Sequence, residues 1–190
     1  MISHSVRIAA LLAALLAVPG LQAAEVAGIN LEEKIKVGNS ELVLNGAGLR
    51  SKLFIKVYVG ALYVTQKSAV PGALLDAPGI RRMSLRLLRD IDSDTLYGAL
   101  RDGLKDNNSE IDLLALKPSI EQFAEIMKKI GNARSGDTVA VDFAPDGVSV
   151  SFNGEVRGKV ASAPFARALL KVWLGDHPVD ASLKKALLGS

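Results

Sequence analysis

The stretch that most limits the fold is Asp137–Val160, where apolar and polar residues alternate around two turns. Apolar residues fill alternate positions in two runs, namely Val139, Val141, Phe143, Val148, Val150 and Phe152. Asp146-Gly147 separates the runs, and Asn153-Gly154 turns the chain again. Because successive side chains of a strand point to opposite faces, the pattern predicts three antiparallel strands with one buried face. Ser149 and Ser151 are then expected to point outward.

Two further segments have the pattern of strands. Gly38-Asn39 predicts a hairpin turn between Glu33–Val37 and Ser40–Leu44. Arg81–Arg89 also alternates, which predicts a strand with one basic face and one apolar face formed by Met83, Leu85 and Leu87. The chain therefore contributes strands to a sheet from both of its halves.

Four segments have the apolar spacing and end signals of helices. They are expected from a cap at Ser93 or Asp94 to about Asn107-Asn108, from about Pro118 to Ile130, from Pro164 to Gly175, and from a cap at Asp180 through Leu188. Antiparallel strands with helices between and after them predict an α+β fold, in which a large antiparallel sheet has helices packed on one face.

The first residues have the pattern of an export signal. Arg7 precedes an apolar run from Ile8 to Val18, and small residues at Ala23 and Ala24 suit cleavage. The run is shorter than the roughly 20 residues that a membrane span needs. We therefore expect residues 1–23 to be a cleaved signal peptide, residues 24–190 to form one periplasmic or secreted domain, and no stable membrane insertion. A retained anchor is the alternative.

Composition argues against several classes of function. The chain has 23 lysines and arginines against 20 acids, and this near balance argues against a nucleic-acid or membrane-surface protein, since both concentrate positive charge. It has no cysteine, and His177 is the single histidine after residue 23. Thiolate catalysis is excluded, while zinc binding and serine hydrolysis are disfavoured. We expect His177 in a loop, no metal and no cofactor.

The most distinctive segment is Asn45–Val64, in which Gly46 and Gly48 precede Arg50. No third glycine or helix follows, so the glycines predict a bulge or a close backbone approach rather than nucleotide binding. An arginine among apolar strand residues is costly to desolvate unless an anion, such as a carboxylate or phenolate, meets it. Tyr58 could donate a hydrogen bond to the same anion. The alternative is that Arg50 pairs with a surface acid and binds nothing.

Several motifs resemble those of the chalcone isomerase-like family. They are Gly46–Arg50 followed by Lys56–Val64, Asn153-Gly154 with Gly158 before the Phe165 helix, and Trp173–Asp176 with Pro178-Val179. Together they span nearly all of residues 24–190. The resemblance implies an open-faced β-sandwich, in which helices cover one face of a large antiparallel sheet, and this agrees with the α+β arrangement expected from the pattern.

The resemblance also implies candidate site residues. Plant enzymes of the family close a chalcone into a flavanone without a cofactor, and an arginine that matches Arg50 holds the phenolate. Tyr58 falls where these isomerases have a threonine and where fatty-acid-binding relatives have a tyrosine, which favours binding. Arg86 is a third candidate ligand-binding residue, with a solvated strand face as its alternative.

The catalytic pattern of the isomerases is otherwise incomplete. Asp92–Thr95 contains no counterpart of their catalytic tyrosine, Arg101 falls near their active-site asparagine, and Val172 falls near a small polar residue. The resemblance therefore implies a non-catalytic protein that binds a small amphipathic carboxylate, such as a fatty acid, between sheet and helices.

In this hypothesis Arg50 holds the carboxylate and Tyr58 donates to it, while Leu53, Phe54 and Leu62 line the path of the tail. The first alternative is a cofactor-free isomerase of a phenolic ligand, which would act by orientation and electrostatics. The second is an interaction module without a small-molecule site. The sequence leaves the oligomeric state open.

Overall fold

The structure, a computed structural model, describes residues 24–189. The expected signal peptide at residues 1–23 lies outside the described residues. The strands of the described part of the chain are β1 (Ala24–Val26), β2 (Ile29–Leu31), β3 (Lys34–Val37), β4 (Ser40–Lys52), β5 (Ile55–Val64), β6 (Arg81–Leu87), β7 (Ile91–Asp92), β8 (Asn132–Ala133), β9 (Thr138–Ala144), β10 (Gly147–Phe152) and β11 (Glu155–Val160). Its helices are α1 (Pro71–Leu75), α2 (Ser93–Asn107), α3 (Glu110–Ala115), α4 (Lys117–Lys128), α5 (Ala163–Leu174) and α6 (Ala181–Leu187).

A large antiparallel sheet organises the described part of the chain. Its strand order is β11-β10-β9-β6-β5-β4-β3, while β1 pairs with β2 and β7 pairs with β8 in two small sheets. The three-strand meander and the Gly38-Asn39 hairpin are confirmed. The α+β prediction, with helices packed on one face of the sheet, is confirmed as well.

The two serines of the meander lie on the outward face, as predicted, but Ser151 is shielded there. Ser151 lies opposite Ala140 of β9, which in turn lies opposite Ser84 in the polar row of β6. Ser149 is half-buried, whereas Ser151 is only 8% exposed. The β10–β11 register shifts directly before Ser151, and a position between two paired strands beside a bulge is shielded by its neighbours, which strict alternation does not show.

The helices pack on one face because their apolar stripes meet the inward row of the sheet. Trp173, Phe143, Phe123 and Phe165 lie in this core, and the rings of Phe123 and Phe165 are 5.4 Å apart between centroids. No helix within residues 24–189 is long and apolar enough to cross a membrane. The helix-covered face therefore holds the main core.

The ends of the helices differ slightly from the prediction. Asp92, rather than Ser93 or Asp94, caps α2, since its extended backbone lets its carboxylate accept a hydrogen bond from Thr95 N at 2.7 Å. The cap of α6 at Asp180 is confirmed. Helix α3 was not predicted. It is 6 residues long, none of its residues is buried, and its apolar residues Ile111 and Leu114 are exposed to solvent.

The opposite face of the sheet is only partly covered. The β1–β2 hairpin lies over a small second core formed by Leu31, Leu42, Leu44, Val59, Ala61 and Tyr63. The other side chains on this face include the polar row of β6, whose members are Arg82, Ser84 and Arg86. One face is thus closed by helices, while the other remains open beyond the hairpin.

The glycines before Arg50 let α6 lie directly against β4. A side chain at Gly46 would overlap Ala186 O, and one at Gly48 would come within 2.6 Å of Ala186 Cβ. Asn45 donates from Nδ2 to Leu187 O at 2.7 Å, which ties the end of α6 to the strand. The predicted close backbone approach at these glycines is confirmed.

Candidate functional site

Arg50 and Tyr58 lie opposite each other on neighbouring strands. They are register partners in the β4–β5 ladder, so their side chains share one face of the sheet. Arg50 Cζ is 5.5 Å from the centroid of the Tyr58 ring. The two residues are 9% and 3% exposed, respectively. The structure therefore brings the two principal candidates of the sequence together in a nearly buried place.

A bulge decides which face Arg50 occupies. Leu42 and Leu44 point to the small core under the β1–β2 hairpin, and unbroken alternation would send Arg50 to the same side. The β4–β5 register shifts between Leu44 and Gly46, after which Ala47 and Leu49 point to the small core instead. The bulge thus turns Arg50 toward the helices.

The guanidinium of Arg50 has no partner within residues 24–189. It forms no ion pair or hydrogen bond there, and its Nε is fully buried without an acceptor. Arg81, also buried, donates from Nη1 to Leu74 O and Leu75 O at 2.9 Å each. An unpaired buried charge is costly, and an anion that reached Arg50 would remove part of this cost.

Tyr58 is held by a tryptophan of α5. Its hydroxyl oxygen accepts a hydrogen bond from Trp173 Nε1 at 3.0 Å. Burial raises the pKa of Tyr58 to about 12, while the Arg50 charge acts in the opposite direction. The phenol is therefore neutral at ordinary pH. No acceptor for its proton is found among the residues described, so the hydroxyl can donate to a ligand.

Arg50 and Tyr58 border a cavity of about 450 Å³ between the β4–β5 hairpin and α2. Its lining is mainly apolar and includes Leu53, Ile55, Val57, Ile91, Leu96, Ala99, Leu100 and Val179. Charged residues also line it, among them Arg50, Lys52 and Arg89. A concave site with a mainly apolar surface and polar groups within it is typical of small-molecule sites, and the volume falls within their usual range.

Three carboxylates line this cavity, but each has a partner of its own. Asp92 accepts from Thr95 N, and this hydrogen bond lowers the pKa of its carboxyl group. Asp90 accepts from Ser135 N at 2.8 Å, and Asp102 pairs with Arg101 at 3.0 Å. These acids do not form an ion pair with Arg50, so the guanidinium can attract an anionic ligand.

Two of the three residues expected along the tail lie elsewhere. Leu53 lines the cavity as predicted. Phe54 is 102% exposed at the hairpin turn, and Leu62 is fully buried in the main core. The expectation for Phe54 and Leu62 was wrong, because the cavity opens beside the end of the hairpin rather than farther along β5.

The structure does not bring Arg86 to Arg50. Arg86 is exposed on the opposite face, where its Nη1 donates to Thr138 Oγ1 at 3.0 Å. Because Met83, Leu85 and Leu87 face the helices, the alternation of β6 places Arg86 on the other side. It borders a separate groove of about 530 Å³ with Tyr63, Arg82 and the β1–β2 hairpin.

Sequence reasoning missed the role of Trp173 and the contribution of α2. Trp173 was named as part of a family motif without a role at the site, yet it positions the Tyr58 hydroxyl. The first turns of α2 form one wall of the cavity, and their small residues Gly98 and Ala99 leave room for it. These two residues, side by side in an otherwise amphipathic helix, are the signal that could have indicated the wall.

His177 lies in an exposed turn after α5, where its backbone N–H donates to Asn107 Oδ1 at 3.0 Å. This confirms the predicted loop position. Among the residues that the structure describes, no group of three or more metal-ligating side chains is found.

The curled antiparallel sheet, the helices on one face and the arginine-bordered cavity between them define a protein of the open-faced β-sandwich class. The chain belongs to the chalcone isomerase-like family, whose model matches residues 23–189.

Among solved structures, a fatty-acid binding protein of Arabidopsis thaliana is similar, with a TM-score of 0.67. The two chains are 18% identical, and the match covers 85% of this chain and 92% of that chain. At this identity the likeness establishes the fold. A search of curated proteins found no match.

Proposed function

We propose that this protein binds a small amphipathic carboxylate, of the fatty-acid type, in the cavity beside Arg50 and does not transform it. The observation that carries the proposal is that Arg50, only 9% exposed, has no acidic partner within residues 24–189 and lies at the wall of a mainly apolar cavity. A carboxylate can accept two parallel hydrogen bonds from one guanidinium, which suits this position. The similar plant structure is described as a fatty-acid binding protein, which supports the same class of ligand.

The ligand would be oriented by its two chemically different ends. Its carboxylate meets Arg50 and accepts a hydrogen bond from the Tyr58 hydroxyl, while Trp173 keeps that hydroxyl in place. Its hydrocarbon tail lies along the apolar wall formed by Val57, Leu96 and the neighbouring residues of the cavity. Apolar burial supplies affinity, and the charged group fixes the direction of entry.

The proposal includes no catalysis because the polar catalytic groups of the isomerases have no equivalents at the corresponding positions of this chain. Arg101 is exposed and pairs with Asp102, and it does not line the cavity. Val172 is buried against Gly103 within the core. Asp92 and Thr95 are engaged with each other in the cap of α2. We therefore expect no acceleration of chalcone cyclisation over the spontaneous reaction.

Titration calorimetry with saturated fatty acids of increasing length tests the proposal. Arg50→Ala should lower affinity by about tenfold or more, because a charge-assisted pair of hydrogen bonds is lost. Arg86→Ala is the matched control, since it removes the same charge from the opposite face, and its affinity should equal that of the unaltered protein.

Equal affinity of Arg50→Ala and the unaltered protein would defeat the proposal, provided that circular dichroism shows both to be folded. A second comparison uses the alcohols that correspond to the fatty acids. They should bind more weakly to the unaltered protein and should lose little when Arg50 is replaced, because they carry no charge to meet it.

The pattern of residues 1–23 supports the further proposal that the protein is exported to the periplasm and its signal peptide removed. Mass spectrometry of the protein from a periplasmic extract should give a mature N-terminus near residue 24. Recovery of the uncleaved chain from the membrane fraction would contradict it.

A further inference from the structure

The β4–β5 hairpin ends in an unusual turn. Lys52 and Ile55 are register partners, so Leu53 and Phe54 form a two-residue loop. Their φ angles are 49° and 67°, the combination required by a type I′ turn. Such turns favour Asn-Gly, because positive φ is costly for residues with a large side chain. Two large apolar residues therefore occupy a turn where small or polar residues would be less strained.

These side chains are also exposed. Leu53 is 83% exposed, Phe54 is 102% exposed, and Ile55 is 51% exposed. Three consecutive large apolar residues at a protruding hairpin keep apolar surface in water, which is unfavourable. Backbone strain at Leu53 and Phe54, together with apolar exposure at all three residues, indicates a surface that is covered in use.

The surroundings of the turn are cationic. Lys52 and Lys56 flank it directly, and Arg89 lies beside the cavity next to it. No aspartate or glutamate occurs between Glu41 and Asp76 in the sequence. The near balance of charge over the whole chain argued against a membrane-surface protein, but that balance averages over a hairpin that is locally positive.

We propose that the hairpin tip, Lys52–Lys56, docks this protein on an anionic lipid bilayer. Leu53, Phe54 and Ile55 would enter the boundary between headgroups and acyl chains, while the two lysines meet anionic headgroups. A convex apolar tip between two cations suits a fluid interface, which needs no preformed complementary groove. The neutral apolar groove of a protein partner would leave the lysines without counter-charge.

Docking at this tip would orient the cavity. Leu53 and Ile55 both belong to the tip and line the Arg50 cavity, so the side of the cavity next to the hairpin would face the bilayer. Exchange of an acyl ligand between cavity and membrane rests on the proposed function. The docking itself depends only on the tip and its charges.

A fluorescent label tests the depth of the tip directly. The chain has no cysteine, so Phe54→Cys and Ile111→Cys each create one site for an environment-sensitive dye. Ile111, 82% exposed on α3, is the matched control. It follows the C-terminal end of α2, whereas the cavity is lined by the first turns of that helix. The full chain is mixed with vesicles of phosphatidylcholine with or without phosphatidylglycerol.

The dye at position 54 should shift to shorter wavelength on vesicles that contain phosphatidylglycerol and should be quenched by lipids that carry a quencher in the acyl region. The dye at position 111 should do neither. This difference also separates tip insertion from attachment through residues 1–23, which would bring the chain to vesicles without burying either dye. Attachment with both dyes in water would overturn the proposal.

Lys56→Gln in the Phe54→Cys background tests the charge. The lipid concentration for half the spectral shift should rise about fivefold on anionic vesicles, because each cation near such a surface strengthens binding by about that factor. No change would overturn the electrostatic part. A shift without vesicles that grows with protein concentration would mean that the tip binds a second copy of the chain, and would overturn the membrane proposal.

Arg50→Ala separates this proposal from the proposed ligand. It should leave the position-54 shift on vesicles unchanged while fatty-acid affinity falls. If the ligand proposal fails, the shift is still expected; if docking fails, fatty-acid titration in vesicle-free solution is unaffected.

Discussion

The two faces of the large sheet satisfy their arginines in different ways. On the open face, Arg82 and Arg86 lie opposite Asp142 and Thr138 in the β6–β9 register, and each donates to the residue it faces. On the helix-covered face, Arg50 lies opposite Tyr58, which offers a ring face rather than an anion. Arg81 also lies on the helix-covered face, but it donates to Leu74 O and Leu75 O of α1. Of these four arginines, Arg50 is therefore the one without an acceptor within residues 24–189.

Replacing an arginine on each face should change stability in opposite directions. Arg82→Met should lower the free energy of unfolding by about 2 to 3 kcal/mol, because it leaves the largely buried Asp142 carboxylate unpaired. Arg50→Met should raise it by about 1 to 2 kcal/mol, because an unpaired charge is replaced by an apolar side chain. Urea denaturation of both variants measures this. A loss of stability in Arg50→Met would show that the ligand-free protein already satisfies Arg50.

Both faces contain a buried tyrosine whose pKa is raised to about 12, Tyr58 under the helices and Tyr63 under the β1–β2 hairpin. Burial is the main cause for both. A raised folded-state pKa means that the unfolded chain loses its proton first. The contribution of each neutral tyrosine to the free energy of unfolding is therefore fully present below pH 10 and is lost as the pH rises toward 12.

Unfolding free energy should thus fall between pH 10 and 12, by about 2 kcal/mol or less for each tyrosine. Tyr58→Phe and Tyr63→Phe should each remove part of this slope. Denaturation at a series of alkaline pH values measures it, and an unchanged slope in Tyr58→Phe would contradict the pKa of that residue.

At neutral pH the same two variants should differ, because the hydroxyl groups have different partners. Tyr58→Phe leaves the Trp173 Nε1 donor buried without an acceptor and should cost about 1 to 2 kcal/mol. Tyr63→Phe removes a hydroxyl that has no hydrogen bond among residues 24–189, so we expect a change below about 0.5 kcal/mol. Thermal unfolding of both variants measures the difference. Equal costs would mean that the Trp173 hydrogen bond contributes nothing.

The fold was predictable where local pattern and packing agree. The meander and the long helices have apolar rows that match their periods, and each row is buried. Helix α3 was missed because it contributes no buried residue, and the α2 cap was displaced by one position because Asp92, Ser93 and Asp94 are all suitable cap residues.

The site was predictable only in part. Arg50 and Tyr58 could be named, but their common face depends on a bulge between Leu44 and Gly46 whose effect cannot be counted along the sequence. The sequence alternation of β6 did predict the face on which Arg86 lies, since the apolar row of the strand had to face the helices. That alternation could not show that Arg50, on another strand, lies on the opposite face.

The packing of α6 against β4 has a consequence for the order in which the chain folds. The hydrogen bond from Asn45 to Leu187 spans 142 residues, and the three atoms nearest a side chain at Gly46 or Gly48 all belong to α6. Contacts at such a separation form late, because the intervening chain must first be ordered. Strand β4, which carries Arg50, therefore gains its contact with α6 only after residue 187 has been synthesised. A growing chain cannot complete its binding site before then.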